Sequence, residues 1–370
     1  MKTGWKTKLL GEVIQLEYGK PLDPKDRNAD GLYPAYGANG VKDRTDKFYR
    51  NQPSIIVGRK GSAGEITLTE DAFWPLDVTY FVEFDRQQYD LRFIYYQLTT
   101  LNLPSLAKGV KPGINRNEVY SQPVCVPPLP EQQRIVAILD EAFDGITIAK
   151  ANAEKNLQNA RALFESHLQS VFTQRGEGWI EETFADVCEI KSVLVDPREE
   201  EYLDLPHVGG ANIASKTGVL LDLKTAREEA LISGKFVFDE TMVLYSKIRP
   251  YLMKVARASF RGLCSADIYP LSAKAGRLDR DYLFHLLLSP NFTEYAIKGS
   301  ARAGMPKVNR DHLFAFCVHL PSAEKQKQLA HKLGALHEET QRLESIYQQK
   351  LAALDELKKS LLHQAFSGAL

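Results

Sequence analysis

The sequence predicts an α+β protein: two similar β-rich globular domains separated by a pair of long antiparallel coiled-coil helices, related by a pseudo-two-fold internal duplication. Three observations predict it. Leu129 to Phe172 has no proline after Pro130, and its apolar residues recur at alternating steps of four and three, the a/d pattern of a coiled coil. A second such stretch runs from Lys327 to Phe366. The segments ahead of the two stretches match at a constant offset of 194 residues, which marks a duplication.

Residues 1–128 form the first domain by this reading. SIIVG from Ser54, EITLT from Glu65 and VTYFVEF from Val78 are short β-branched and aromatic runs bounded by Gly, Pro and Asp, and they predict strands. Asp90 to Leu101 spaces Phe93, Ile94, Gln97, Leu98 and Leu101 as a helix does. Val119 to Val126 is expected to be a last strand, ended by Pro127 and Pro128. The first long helix then occupies 129–174 and starts close to Pro130, a position where proline is tolerated. Its stripe includes Ile135, Leu139, Ile146, Leu157, Phe164 and Leu168.

After the polar hinge TQRGEG, the same order returns in residues 175–322, followed by a second helix over 323–370. Trp179 and the residues after it match Trp5 onwards. TMVLYSKIRPYL matches PSIIVGRKGSAG, and DRDYLFHLLLS matches DLRFIYYQLTT. The clearest match pairs LAKGVKPGINRNEV with SARAGMPKVNRDHL, placing Lys108 with Arg302, Pro112 with Pro306, Asn115 with Asn309 and Arg116 with Arg310. The second stripe is Leu329, Leu333, Leu336, Leu343, Leu351, Leu354, Leu357 and Leu361. Both stripes contain two consecutive steps of four, at Ala149, Ala153, Leu157 and at Leu343, Tyr347, Leu351, a stutter that locally unwinds a coiled coil. A helix that leaves domain one, with a second that returns from domain two, predicts an antiparallel pair. About 38 residues would span roughly 57 Å, a spacer suited to a target with two separated features such as two half-sites on a DNA duplex.

Lys plus Arg and Asp plus Glu each number 47, for a formal net charge of zero. Contact with nucleic acid must therefore come from local placement and not from a bulk basic field. No apolar run follows Leu10 and none approaches the roughly 20 residues of a membrane helix, so a soluble cytoplasmic chain without membrane contact is expected. Cys125, Cys188, Cys264 and Cys317 are isolated in apolar surroundings and are expected to be buried thiols. The histidines, including His331 and His337, lack metal-ligand spacing and are expected to be solvated, so no metal site is predicted. No base-clamping tetrapeptide, phosphate-binding glycine loop or catalytic set is present. The string Asp186, Glu189 and Lys191 is the counterpart of the first strand of domain one.

Candidate DNA contacts are local. In domain one Tyr36, Asn39, Arg59, Lys60 and Ser62 lie on glycine-rich turns, with Lys108 and Lys111 on the repeated loop. In domain two the candidates are Lys247, Arg249, Tyr251 and Lys254, with Arg302 and Lys307 on the corresponding loop. Asn115 and Asn309 precede an expected strand, where Asn either closes a turn or contacts DNA.

PPLPEQQRIVAILDEAFDGITIAKANAEKNLQNARALFESHLQSVF, with its weaker echo from LPSAEKQKQL to LLHQAFSG, resembles the helical regions of the specificity subunit of type I restriction-modification enzymes. The resemblance implies a non-catalytic subunit whose two target-recognition domains read a bipartite site on double-stranded DNA. It implies two modification subunits as partners, bringing S-adenosylmethionine and adenine methylation, and restriction subunits using ATP and Mg, with no cofactor on this chain. In the second copy SAEKQKQL replaces PEQQRIV and Lys358 stands where the first has Phe164. The rival readings are a coiled-coil scaffold that reads no DNA and a stand-alone DNA methyltransferase or nuclease.

Overall fold

The computed structural model describes residues 4–174, 176–300 and 305–370. It divides into two compact units, one of Met1–Asn152 with Lys350–Leu370 and one of Ala153–Gln349. The division cuts both long helices, Leu129–Thr173 and Ala323–Ser367, so each unit contains part of both.

In the first unit, an antiparallel sheet runs in the order Gln15–Tyr18, Thr79–Glu83, Ile55–Gly58, Ile66–Leu68. Ile55–Gly58 is buried throughout, as a central strand of Ile and Val should be. A second sheet holds Gly40–Thr45, Tyr33–Gly37 and Trp74–Pro75. Asp90 caps the helix Leu91–Thr100 by accepting from the Phe93 N–H. The expected strand from Val119 is corrected: Asn115 caps a short helix, Arg116–Tyr120, and only Pro123–Val126 is extended, paired with Lys6–Leu9. The Asn115 side chain satisfies an N–H of the first turn, which favours the helical turn over strand propensity at Val119.

The second unit repeats this order as Cys188–Glu189, Ile268–Ala273, Met242–Ser246, Val255–Ala256. Its second sheet has five strands where the first unit has three. Asp279 caps Arg280–Leu287, and Asn309 caps Arg310–Phe314 by accepting from the His312 N–H.

Within each unit the helical segments run antiparallel. Lys150 pairs with Asp355 in the first unit, and Arg161 pairs with Glu344 at 2.9 Å in the second. Ile135, Leu139 and Ile146 are buried in the first unit, where Leu351, Leu354 and Leu361 are half-buried; Phe164, Leu168 and Leu333 are buried in the second, where Leu157, Leu329, Leu336 and Leu343 are half-buried. Leu357, a seam position by spacing, is 47% exposed. The stripe does not serve the other long helix alone. Ile135, Leu139, Phe143 and Ile146 share one cluster with Phe93 and Tyr96 of the globular part and with Leu354, Leu361 and Ala365.

Each helix begins at a buried amide. Gln132 accepts from the Asp90 N–H at 2.9 Å and donates to the carbonyls of Gln88 at 3.0 Å and Pro127 at 2.9 Å. Gln326 accepts from the Asp279 N–H at 2.9 Å and donates to Arg277 at 2.9 Å and Pro321 at 3.0 Å. They are 0% and 1% exposed.

Expectations about Cys and His need correction; His207, for one, is not solvated but buried against Glu229 at 2.8 Å. Cys188 and Cys264 are buried, and burial pushes the Cys188 thiol up to about 12; Cys125 is only half-buried and Cys317 is exposed, because alternate residues of an edge strand face out. His337 is not solvated: it lies against Phe164 at 4.7 Å between ring centroids and its Nε2 meets the Thr217 carbonyl at 2.8 Å. His285 occupies the place of Tyr96 in the repeat. Tyr96 donates to Asp140, whereas neither ring nitrogen of the fully buried His285 has a hydrogen-bond partner among the described residues. Burial, then the Arg257 cation and His337, hold the His285 pKa down at about 3.

Two predictions follow from these buried groups. Gln132→Ala and Gln326→Ala should each destabilise the unit concerned by about 1–3 kcal/mol, since each leaves a buried carbonyl and a part-buried N–H and carbonyl without their partner; urea unfolding measures this, and a loss under about 0.5 kcal/mol would refute the clamp. His285 protonates near 6.5 when unfolded and near 3 when folded, so the stability it supports is intact above pH 6.5 and falls as pH drops from 6.5 toward 3. The loss should reach about 2 kcal/mol by pH 5. His285→Leu should flatten that limb of the stability-versus-pH curve, and an unchanged slope would count against it.

Candidate nucleic-acid interface

In the first unit three loops meet over one aromatic pair. The two-residue turn of Ala38 and Asn39 joins the strands Tyr33–Gly37 and Gly40–Thr45, and leaves Asn39 exposed. The loop after Gly58 packs against it so closely that a Cβ on Gly58 would lie 2.1 Å from the Ser62 carbonyl oxygen and 2.7 Å from that of Ala38. The loop of residues 108–116 joins them: the Gly61 N–H donates to the Pro112 carbonyl at 2.9 Å, and the Ile114 N–H to the Arg59 carbonyl at 3.0 Å. Beneath lie Tyr18 and Tyr80, edge to face with centroids 5.1 Å apart. Burial, reinforced by Tyr18, raises the Tyr80 phenol to about 12, so it stays a neutral donor toward the Ile114 carbonyl at 3.5 Å.

Two guanidinium groups flank the 47% exposed Tyr18 ring, Arg59 at 5.3 Å and Arg116 at 5.4 Å. Arg59 is tied down, donating to the Asp77 carbonyl at 2.5 Å from Nη2 and 3.2 Å from Nε. Arg116 is exposed.

The second unit builds the same knot from different side chains. The Arg249 N–H donates to the Pro306 carbonyl at 2.9 Å and the Val308 N–H to the Lys247 carbonyl at 2.9 Å. Lys247 lies 5.0 Å from the Tyr269 ring and donates to the Ala266 carbonyl, as Arg59 lies 6.0 Å from the Tyr80 ring and donates to the Asp77 carbonyl. The Tyr269 hydroxyl donates to Val308 at 3.2 Å, matching Tyr80. Arg310 lies 5.9 Å from Tyr269 and 6.0 Å from Phe236. One acid enters this knot: Asp267 meets Lys247 at 3.6 Å and Lys307 at 3.4 Å. Burial, followed by Lys307, lowers the Lys247 pKa.

The structure thus gathers Asn39, Arg59, Lys60, Ser62, Lys108 and Lys111 on loops of one unit and Lys247, Arg249 and Lys307 on the other. Tyr251 is 51% exposed on the turn after Pro250. Tyr36 is corrected: it is 9% exposed and packs edge-on against Phe73 in the core, because it sits on the inward face of its strand. Lys108 is paired with Glu118, and Lys254 donates to the Gly210 carbonyl, so both cations are engaged within the fold. Arg302 lies outside the described residues. Sequence reasoning passed over Tyr18, Tyr80, Tyr269, Arg116 and Arg310. The repeated Asn-Arg pair was the available signal: the Asn is the structural member, a helix cap, and the Arg faces out. Chemically, the clusters offer cationic and amide donors over aromatic rings, a set suited to phosphates and base edges. Among the described residues no group of three or more His, Cys, Asp or Glu is placed to hold a metal, and no helix is long and apolar enough to cross a membrane.

The family model of the type I restriction modification DNA specificity domain matches residues 2–159 and 176–352. The chain is 27% identical over 403 residues to the type I restriction enzyme EcoDI specificity subunit of Escherichia coli, across 99% of this chain and 88% of that protein. It is 22% identical over 420 residues to the MjaVIII specificity subunit of Methanocaldococcus jannaschii, across 99% and 93%. The fold is similar to a chain solved in work on complex assembly and conformational transition of the type I R-M system, with TM-score 0.73, 18% identity and coverage of 100% and 99%. It is also similar to the HsdS subunit from Thermoanaerobacter tengcongensis, with TM-score 0.59, 19% identity and coverage of 100% and 98%.

Proposed function

The chain belongs to the type I restriction modification DNA specificity family, and we propose that its two loop clusters are the surfaces with which it reads DNA. It is a specificity subunit: each globular part reads one half of a bipartite duplex site, and the long helices set the spacing of the halves and recruit modification subunits. The observation that carries the assignment to the clusters is their repetition. The same backbone knot, with a cation tied near a buried tyrosine and an exposed arginine beside an aromatic ring, is built in both units from corresponding loops.

In this reading, Asn39, Lys60, Ser62 and Lys111 face the duplex from the first unit and Arg249, Tyr251 and Lys307 from the second. Two modification subunits dock on the faces of the long helices turned away from the paired seam, and restriction subunits join through the complex. S-adenosylmethionine, ATP and Mg are then held by those partners. The chain itself performs no bond-making step.

Exchanging residues 1–128 for the corresponding segment of a relative should change one half of the methylated sequence and leave the other half unchanged, as read by sequencing methylated sites. A change in both halves would refute the two-reader arrangement. Methylation without sequence preference would favour a helical scaffold instead.

A further inference from the structure

We propose that Arg116 and Arg310 are matched contacts to the DNA sugar-phosphate backbone, one in each unit, which grip phosphates and do not read bases. The proposal rests on the DNA-reading role above and assigns its sequence-neutral part. A duplicated reader meets the same polymer twice with different base sequences. The backbone is common to both halves of the site and the base edges are not. Side chains that are identical, equivalently placed and exposed in both copies therefore fit the common part, and those that diverge fit the variable part.

Arg116 and Arg310 meet that criterion. Each directly follows the Asn that caps a short helix and each is exposed. Each lies within about 6 Å of an aromatic ring, at 5.4 Å for Arg116 and 5.9 Å for Arg310. Neither makes an ion pair or hydrogen bond among the described residues, although acids and carbonyls occupy other cations nearby: Lys108 has Glu118, Arg59 has the Asp77 carbonyl, and Lys247 has the Ala266 carbonyl and Asp267. The backbone just before each arginine is fixed twice, by the tyrosine hydroxyl to residue 114 or 308 and by the N–H of that residue to residue 59 or 247. An unpaired guanidinium is thus presented from a held backbone and resting on a ring, so little side-chain freedom is lost when an anion binds. The loop tips around it diverge. Lys60, Gly61 and Ser62 of the first unit correspond in the repeat to Ile248, Arg249 and Pro250 of the second, and Gly113 corresponds to Lys307.

The test uses the full chain assembled with its modification subunits and two duplexes, one carrying the methylated site found by sequencing and one of mixed sequence. Binding is measured across a KCl series. Arg116→Ala and Arg310→Ala should each weaken both duplexes by the same factor, roughly tenfold, and reduce the slope of log affinity against log salt by about 1, with the double variant losing about 2. The methylated sequence should not change. Arg116→Lys and Arg310→Lys, which keep the charge, should restore the salt slope, and they separate loss of contact from loss of folding, which thermal melting reports. An altered base preference in one half of the site would overturn the proposal in favour of base reading. An unchanged affinity and slope, or a slope that still falls in the Lys variants, would overturn it in favour of a structural role. Failure of the unsubstituted complex to prefer the site duplex would instead refute the DNA-reading role itself.

Discussion

The amides of Gln132 and Gln326 set where each long helix starts, and most of the architecture is referred to them. A primary amide buried without water must find partners for its donors and its acceptor, and the cost of missing them is steep in an apolar interior. Gln132 finds them on two separate pieces of chain: the proline stop after the last strand, and the segment entering the helix Leu91–Thr100, through the Gln88 carbonyl and the N–H of the capping Asp90. Rotating the long helix or sliding it by one residue would break all three hydrogen bonds at once. The clamp therefore converts a flexible strand-to-helix junction into a fixed exit angle, and the stripe of Ile135, Leu139 and Phe143 is aimed at Phe93 and Tyr96 as a result. Gln326 does the same through Pro321, Arg277 and Asp279.

Because the clamp repeats, the contacts beyond it repeat in kind while differing in chemistry. Phe93 meets Phe366 at 5.2 Å in the first unit, and Tyr282 meets Phe172 at 5.0 Å in the second. Lys358 lies over Phe143 at 4.9 Å where the second unit sets Phe164 against His337 at 4.7 Å. The ion pairs are sorted by helix. The first long helix supplies the cation in both units, Lys150 and Arg161, and the second supplies the anion, Asp355 and Glu344. By the repeat, Lys150 corresponds to Glu344 and Arg161 to Asp355. Two first helices paired in the same register would set Lys150 against Arg161, and two second helices would set Glu344 against Asp355. Such exposed pairs stabilise little, about 0.2–1 kcal/mol each, so their effect lies in choosing the partner helix.

The long helices and the central strands were legible because their signals are dense: a 44-residue stretch with one apolar rhythm, and runs such as Ile55–Gly58 in which every residue suits a buried strand. The duplication was legible because the offset held across a loop, a strand and a helix. What failed has physical reasons. Val119 has strand propensity, but one hydrogen bond accepted by the capping Asn115 from the Asn117 N–H favours the helical turn in this five-residue segment. Tyr36 sits in a glycine-rich string that reads as a turn, yet the turn is two residues long and the tyrosine belongs to the strand before it. His337 lies at a position that spacing alone would leave to solvent, and a loop from residue 217 covers it. The candidate interface was half legible for the same reason: its cations could be seen, but whether a cation is free or spent on a carbonyl depends on loops that meet only in the fold.

That distinction bears on how a chain with zero net charge can serve as a DNA reader. Non-specific affinity comes almost wholly from phosphate neutralisation and scales with the number of such contacts. Several of the basic side chains on the candidate surfaces are engaged within the fold, Lys108 by Glu118, Arg59 and Lys254 by carbonyls, and Lys307 by Asp267. Each cation engaged in this way is one fewer for arbitrary duplex, which leaves a larger share of the binding free energy to base contacts and to the requirement that both halves be present together. Two weak readers held on one continuous scaffold multiply their discrimination, because a duplex that satisfies only one of them gains the affinity of one. Neutrality is thus consistent with DNA binding where selectivity is the product, and the free arginines become the points at which affinity is set without altering what is read.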